Sequence, residues 1–156
     1  MKSIQLHQKP RSKLSLSDHY ETPKDVFEKL CRRYRIYPKL DVCATKKNTK
    51  CKKYFSIRDN GLKKKWNYDV WCNPPHTLTG EFIKKASEEW RRTGCKISIL
   101  MIVPANTMST QYWHKYIKIG PTYHPIEGRI SFRYNGKASE FSSRNAYVSI
   151  KWHKMK

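Results

Sequence analysis

Two consecutive prolines near the middle of the chain limit what the backbone can do there. The segment Asn73-Pro74-Pro75-His76 comes directly after the apolar run Val70-Trp71-Cys72 and just before an amphipathic stretch. Because each proline fixes its φ angle and lacks an amide donor, a strand cannot continue through this point. The segment therefore predicts a rigid loop between a strand and a helix. A proline-stiffened turn with no further role is an alternative reading of the same residues.

The loop also carries hydrogen-bond acceptors that suit one kind of chemistry. The side-chain oxygen of Asn73 and the backbone carbonyl of Pro74 can accept the two hydrogens of an exocyclic amine. The nitrogen lone pair is then directed at an electrophile, which is the positioning that methylation of a base amine requires.

The charge of the chain indicates a polyanionic partner. Lys and Arg number 33 against 12 Asp and Glu, which gives a formal net charge of +21 over 156 residues. The basic residues are spread along the chain, so they predict a broad basic surface and favour nucleic acid as the partner. The densest lysines are Lys46, Lys47, Lys50, Lys52, Lys53, Lys63, Lys64 and Lys65.

The sequence gives no indication of a membrane, secreted, disulfide-rich or zinc-binding protein. No apolar stretch is long enough to cross a bilayer, and no signal-peptide core is present, so we expect a soluble, intracellular protein without a membrane partner. The five cysteines form an odd set with no C-x-x-C pair. This pattern indicates neither a disulfide framework nor a zinc site, and we predict no metal.

The chain is long enough for one domain with a real core. Residues 1–18 are polar, basic and aperiodic, and they predict a flexible arm. Residues 19–156 are expected to form a single domain, since apolar runs alternate there with helical stretches. The oligomeric state does not follow from these patterns.

Helices and strands are predicted to alternate along this domain. Thr22 is expected to cap a first helix with Pro23 in its first turn, and Thr79 to cap a second helix that Gly94 ends. A third helix is predicted over residues 109–119. Strands are predicted over residues 40–43, 54–57, 68–72, 97–103, 128–134 and 146–152, the last with alternating character.

This order predicts an α/β fold, an open and mostly parallel sheet with helices on both faces. Ligands of such sheets bind outside the carboxyl ends of the strands. Asp41 and Asn73 both lie at predicted carboxyl ends, so one pocket can use both side chains. Taken alone, Asp41 is more typical of an ordinary capping or turn aspartate, and its placement beside Asn73 is what favours a role in the pocket.

Several short motifs follow one another in a recognisable order. The motifs are Tyr20-Glu21-Thr22-Pro23, Leu40-Asp41-Val42-Cys43-Ala44, Asn48, Tyr54-Phe55, Asp59-Asn60-Gly61-Leu62, Trp66, the segment from Val70 to His76, Val103-Pro104-Ala105, Trp113-His114 and Gly128-Arg129-Ile130-Ser131-Phe132. This order closely resembles the phage Dam-type DNA N6-adenine methyltransferase family over about residues 18–152. The resemblance implies a small Rossmann-like domain that uses S-adenosyl-L-methionine to methylate an adenine amine in DNA.

The resemblance also implies roles for individual residues. Asp41 matches the acidic position that faces the methionine portion of the cofactor, and Asp59 matches a polar position near its adenosine portion. Asp59 can equally cap the turn at Gly61. The residues implied to bind the cofactor are Thr22, Pro23, Asp41, Ala44, Asp59 and Asn73, and those implied to act in catalysis are Asn73, Pro74, Pro75 and His76.

The chain departs from the family pattern at His76, where most members have an aromatic residue, usually tyrosine, that stacks on the target base. An imidazole stacks with less area than a phenol, so the change suggests weaker capture of the base or an altered acceptor. Alternatively, Trp71, Tyr112 or Trp113 supplies the stacking surface.

An adenine inside duplex DNA has to flip out to reach such a loop. The eight lysines named above and Arg129 are the candidates for contacting the DNA backbone. Base sequence would be read by loops at residues 45–53, 77–80 and 135–144. Two other functions stay open: methylation of RNA adenine or of the cytosine N4 amine, and DNA binding without catalysis.

Overall fold

The computed structural model describes residues 20–138 and 146–156, so the arm predicted over residues 1–18 lies outside the described part. The described residues form helices on a mixed sheet. The helices are α1 (Lys24–Tyr34), α2 (Thr79–Arg92) and α3 (Gln111–Tyr116), and the strands are β1 (Leu40–Asp41), β2 (Lys53–Tyr54), β3 (Val70–Cys72), β4 (Ile99–Pro104), β5 (Thr122–Pro125), β6 (Arg133–Tyr134), β7 (Lys137–Ala138) and β8 (Tyr147–Trp152).

Six of the strands form one sheet in the order β2-β1-β3-β4-β8-β5. The pairs among β2, β1, β3 and β4 are all parallel. Strand β8 runs antiparallel to both of its neighbours, β4 and β5. Five strands therefore share one direction, which confirms the prediction of an α/β fold with a mostly parallel sheet.

Helices cover both faces of this sheet, as predicted. Successive residues of a strand point to opposite faces, so β4 sends Leu100 to one side and Met101 to the other. Leu100 packs in a buried cluster with Leu30 of α1, whereas Met101 packs in a second cluster with Ile83 of α2 and Ile117, which follows α3. The two clusters form the core.

Both predicted helix caps are wrong in detail. Pro23 occupies the cap position of α1 and no side chain caps this end, because the hydroxyl of Thr22 accepts a hydrogen bond from Asn73 instead. Thr79 lies inside α2 as its first residue, and its hydroxyl donates to the carbonyls of Pro75 and His76. Both hydroxyls bind to the segment around the prolines, which a helix pattern alone does not reveal.

The carboxyl-terminal third of the chain also differs from the prediction. Over residues 128–134 only Arg133–Tyr134 is strand, and it pairs with β7 outside the main sheet. The sequence pattern does not predict strand β5, because all four of its residues are exposed and show no apolar periodicity. The alternation predicted over residues 146–152 does not correspond to alternating burial. All six residues of β8 are buried because both faces of the strand are covered: Tyr147 packs in one core cluster, and Val148, Ile150 and Trp152 pack in the other.

A buried carboxylate fixes the segment that leads into β3. Glu89 of α2 is 4% exposed and accepts the backbone N–H of Trp66 at 2.9 Å. It also forms ion pairs with Lys85 at 2.8 Å and Arg92 at 2.6 Å. Arg92 in turn donates to the carbonyl of Trp66 and to the side chain of Asn67. The backbone just before β3 is therefore anchored to α2.

Candidate active site

Asn73 and Asp41 lie at the same edge of the sheet. Strands β1 and β3 are parallel neighbours, with Asp41 opposite Trp71 in the register. Asp41 ends β1, and Asn73 comes directly after the end of β3. This placement confirms the prediction that both residues stand at carboxyl ends of adjacent strands.

The side chain of Asn73 is held by the segment that precedes α1. Its Nδ2 donates to the Tyr20 carbonyl at 3.2 Å and to the buried Thr22 hydroxyl at 3.0 Å. Because a carbonyl can only accept, the amide nitrogen must face Tyr20, and Oδ1 must face the other way. Within residues 20–138 and 146–156 no group donates to this Oδ1. The amide therefore presents a fixed acceptor.

His76 belongs to an aromatic cluster beside the proline loop. Its Nε2 lies 2.7 Å from the Tyr147 hydroxyl, and its ring meets that of Tyr20 edge to face at 6.4 Å. Phe132 stacks on Tyr20 at 6.0 Å and contacts Tyr147 at 4.8 Å between ring centroids. Burial raises the pKa of the Tyr147 hydroxyl, so it is neutral at physiological pH.

The sequence patterns assign no role at this site to three members of the cluster. Tyr20 and Phe132 occur in motifs that carry the family resemblance, and Tyr147 occurs in a predicted strand. The available signal was the position of Tyr20 just ahead of Thr22 and Pro23. The other two could not be found, because β8 and the segment before β6 reach the loop only through the tertiary structure.

Two of the three alternative stacking residues are buried in the core. Trp71 is 1% exposed and packs edge to face on Phe27 of α1 at 4.9 Å. Trp113 is 5% exposed and packs on Tyr123 of β5. Tyr112 is half-buried and stacks on Tyr116. Aromatic surface next to Asn73 comes instead from Tyr20 and His76.

Asp41 organises the loop that follows β1. It is 3% exposed, and its two oxygens accept the backbone N–H groups of Cys43 at 3.2 Å and Lys50 at 3.0 Å. Burial raises its pKa to about 6, although these two amides lower it. The Nζ of Lys50 donates to the Asn48 carbonyl. No cationic side chain in the described ranges forms an ion pair with Asp41.

We expect Asp41 to make the folded protein less stable as the pH rises from about 4 to about 6. In this window the unfolded chain, with an aspartate pKa of 3.8, releases its proton before the folded chain does. Folding therefore takes up a proton, and the loss approaches about 3 kcal/mol by neutral pH. Denaturant unfolding at several pH values should show that the free energy of unfolding changes less with pH in Asp41→Asn than in the unchanged protein. Equal pH dependence of the two proteins would contradict a raised pKa of Asp41.

The other residues implied to bind the cofactor have different surroundings. Pro23 and Ala44 are buried, and the Ala44 amide donates to the Phe55 carbonyl at 3.1 Å. Asp59 is exposed and accepts the backbone N–H and the hydroxyl of Ser56. These bonds lower the pKa of Asp59 and close a turn. A cofactor contact of Asp59 stays a prediction.

The basic residues predicted to contact DNA are mostly exposed, but they do not all lie at the edge of the sheet that carries Asn73. Lys46 and Lys47 are in the loop after β1, at the edge that carries Asn73, whereas Lys52 and Lys53 lie at the start of β2. Lys50 is half-buried. Lys63, Lys64, Lys65 and Arg129 are exposed.

The described residues contain no group of three or more His, Cys, Asp or Glu close enough to hold a metal ion. All five cysteines are free thiols. The Sγ atoms of Cys43 and Cys72 lie 3.9 Å apart near the carboxyl edge, and burial raises the pKa of Cys43. Over the same parts of the chain, no helix is both long and apolar enough to cross a membrane.

The fold and this edge define an α/β protein with a proline-stiffened loop that presents a fixed hydrogen-bond acceptor at the ends of parallel strands. The family model described as DNA N-6-adenine-methyltransferase (Dam) matches residues 9–154, and the chain belongs to this family. It is also similar to a DNA N-6-adenine-methyltransferase of Escherichia phage T1, with 31% identity over 137 residues. The match covers 86% of this chain and 56% of the phage protein, so the chain spans little more than half the length of that relative.

Proposed function

We propose that this protein transfers a methyl group from S-adenosyl-L-methionine to the exocyclic N6 amine of adenine in DNA. The observation that carries the proposal is the fixed amide of Asn73. Its nitrogen donates hydrogen bonds to Tyr20 and Thr22, which leaves its oxygen as an acceptor next to Pro74 at the carboxyl edge of the sheet. Membership of the family makes an adenine amine the expected occupant.

The loop acts by positioning the amine. Asn73 Oδ1 and the Pro74 carbonyl accept the two hydrogens of the amine, and the lone pair of its nitrogen is left directed away from both acceptors. The two prolines hold these oxygens still, so little reorganisation accompanies the reaction. Tyr20 and His76 offer their rings to the base, and Tyr147 holds His76 in place.

The residues at the end of β1 fit a cofactor that carries an α-amino group. Asp41 is a buried carboxylate with two backbone donors and no ion-pair partner in the described chain. With a pKa of about 6 it is mostly ionised at neutral pH, so an ammonium group is its natural complement. Thr22, Pro23, Ala44 and Asp59 complete the proposed set. When bound, the cofactor supplies an electrophilic methyl group on a sulfonium.

We infer that residues 19–156 form one Rossmann-like methyltransferase domain. Support comes from the continuous parallel run β2-β1-β3-β4 and from the site at the carboxyl ends of β1 and β3. Ligands of open α/β sheets bind at that edge.

DNA as the partner is supported by the net charge of +21 and by the exposed lysines and Arg129. Those at the edge that carries Asn73, such as Lys46 and Lys47, would contact phosphates beside a flipped adenine. Such contacts make binding strongly dependent on salt concentration.

Incubation with cofactor labelled in its methyl group tests the proposal directly. Nucleoside analysis of the DNA should find the label in N6-methyladenine. Label in N4-methylcytosine, or only in RNA, would identify one of the two other acceptors. If calorimetry finds no cofactor binding while salt-sensitive DNA binding persists, the protein is a DNA-binding module and the proposal is wrong.

We expect Tyr147→Phe to lower kcat/KM for methyl transfer by about 2- to 12-fold, the usual range for one lost hydrogen bond. The change removes the hydroxyl that holds His76 but keeps the ring contact with Phe132. Tyr123→Phe is the control, because Tyr123 is an exposed residue of β5. Equal activity of the two variants would show that the hydroxyl does not position His76.

A further inference from the structure

A second basic site lies along the edge strand of the sheet. Beside β2 the surface has an open depression with a volume of about 440 Å³. Three lysines and two tyrosines line it, and apolar side chains form the remainder of the wall. We call this depression the β2 groove, and the residues that matter are Lys52, Lys53, Lys65, Tyr68, Leu40 and Phe55.

The β2 groove is separate from the Asn73 loop. Leu40 and Lys53 begin β1 and β2, and Tyr68 lies just before β3, whereas Asn73 lies beyond the far end of β3. Four residues lie between Tyr68 and Asn73, and the three of them that form β3 span about 10 Å along the strand direction. The groove includes neither the proline loop nor Asp41, although its Phe55 bonds through its backbone to Asp41 and Ala44. It is therefore a neighbour of the proposed active site and not part of the loop that would hold the amine.

The charge in the groove has one sign. Lys52, Lys53 and Lys65 are exposed, and no acidic residue lines the depression. None of the three forms an ion pair with a described acidic side chain. Their charges are thus available to an anion.

Tyr68 adds an aromatic surface that the backbone holds firmly. The residue is 41% exposed, and Lys53 Nζ lies 5.1 Å from its ring centroid. On one side of Tyr68, Asn67 accepts a hydrogen bond from Arg92 of α2. On the other side, Asp69 accepts the backbone N–H of Ser98 at 2.8 Å. The chain at Tyr68 is therefore anchored on both sides, while its ring remains accessible to a ligand.

We propose that the β2 groove binds a nucleotide unit of single-stranded DNA, with its base on Tyr68 and its phosphates on the lysines. Aromatic rings combined with basic side chains are the usual elements of single-strand recognition. The bases of a duplex are stacked on one another, so only an unpaired base can present a face to Tyr68. The proposal takes DNA as partner from the proposed function, but it does not depend on methyl transfer.

Fluorescence anisotropy with a short labelled oligothymidylate tests the groove, because this DNA contains no adenine and cannot be a methyl acceptor. We expect Tyr68→Ala to weaken binding about 5- to 150-fold, as for loss of one base stack. Tyr68→Phe keeps the ring and should bind as the unchanged protein does. The matched control is Tyr37→Ala, because Tyr37 is 78% exposed and lies outside the groove.

The lysines have a separate readout in the salt dependence of binding. Each phosphate contact contributes about 0.7 to the slope of log affinity against log salt concentration for single strands. We expect Lys65→Gln to reduce the slope by about that amount. Lys118→Gln should leave it unchanged, since Lys118 is exposed but is not part of the groove.

These results separate the groove from the proposed active site. Asn73→Ala should keep its affinity for oligothymidylate. If the unchanged protein binds oligothymidylate through Tyr68 but never methylates DNA, the groove proposal stands and the proposed function is wrong. Equal binding by Tyr68→Ala and Tyr37→Ala would overturn the groove proposal. Displacement of the oligonucleotide by an equal concentration of thymidine monophosphate would also overturn it, in favour of a free nucleotide.

Discussion

Replacing Asn73 with alanine should lower the rate of methyl transfer by about 100- to 1,000-fold, the usual cost of losing one preorganised polar group. The substitution removes the acceptor for one amine hydrogen. It also breaks the bonds to Tyr20 and Thr22 that hold the segment before α1 against the loop. Single-turnover transfer of labelled methyl groups to adenine-containing DNA measures the effect on chemistry.

The control for this experiment is Asn67→Ala, which removes an asparagine near the opposite end of β3. Asn67 is exposed and its side chain contacts Arg92. We expect its rate of transfer to match that of the unchanged protein. If Asn73→Ala is as active as Asn67→Ala, the amide of Asn73 does not hold the amine, and the proposed mechanism is wrong.

Replacing Glu89 with alanine should lower the free energy of unfolding by about 3–5 kcal/mol, the typical cost of removing one partner of a buried ion pair. The change leaves the N–H of Trp66 without its acceptor and Lys85 and Arg92 without their counter-charge. Burial raises the pKa of Glu89, but the hydrogen bonds from Arg92, Lys85 and Trp66 outweigh burial, and the pKa is lowered. Denaturant unfolding at neutral pH measures the loss.

Glu88→Ala is the matched control because Glu88 is the adjacent glutamate on α2. It is exposed, and its ion pair with Lys84 is 3.9 Å long. Exposed pairs contribute about 1 kcal/mol or less. The lowered pKa of Glu89 stabilises the protein only while this carboxyl is ionised. The free energies of unfolding of the two variants should therefore become more similar at acidic pH. If Glu89→Ala and Glu88→Ala lower the free energy of unfolding equally at neutral pH, Glu89 does not anchor this segment.

Local patterns were enough to predict the parts of the molecule that local physics determines. The apolar run at residues 97–103 and the prolines at 74 and 75 mark a buried strand and a chain break wherever they occur. They led correctly to an α/β fold and to the shared edge of Asp41 and Asn73. The same approach failed for Thr22, whose hydroxyl is suited to capping a helix but bonds to Asn73, 51 positions away.

The sequence by itself determined the alternation of helices and strands, the basic surface, the proline loop and the family. Only the tertiary structure decided which side chains meet at the loop and which lysines lie apart from it. It placed Tyr147 against His76, 71 positions away, and gathered Lys53, Lys65 and Tyr68 into the β2 groove. The physical reason is that strand order and register bring distant residues together, and neither produces a periodic pattern in the sequence of these residues.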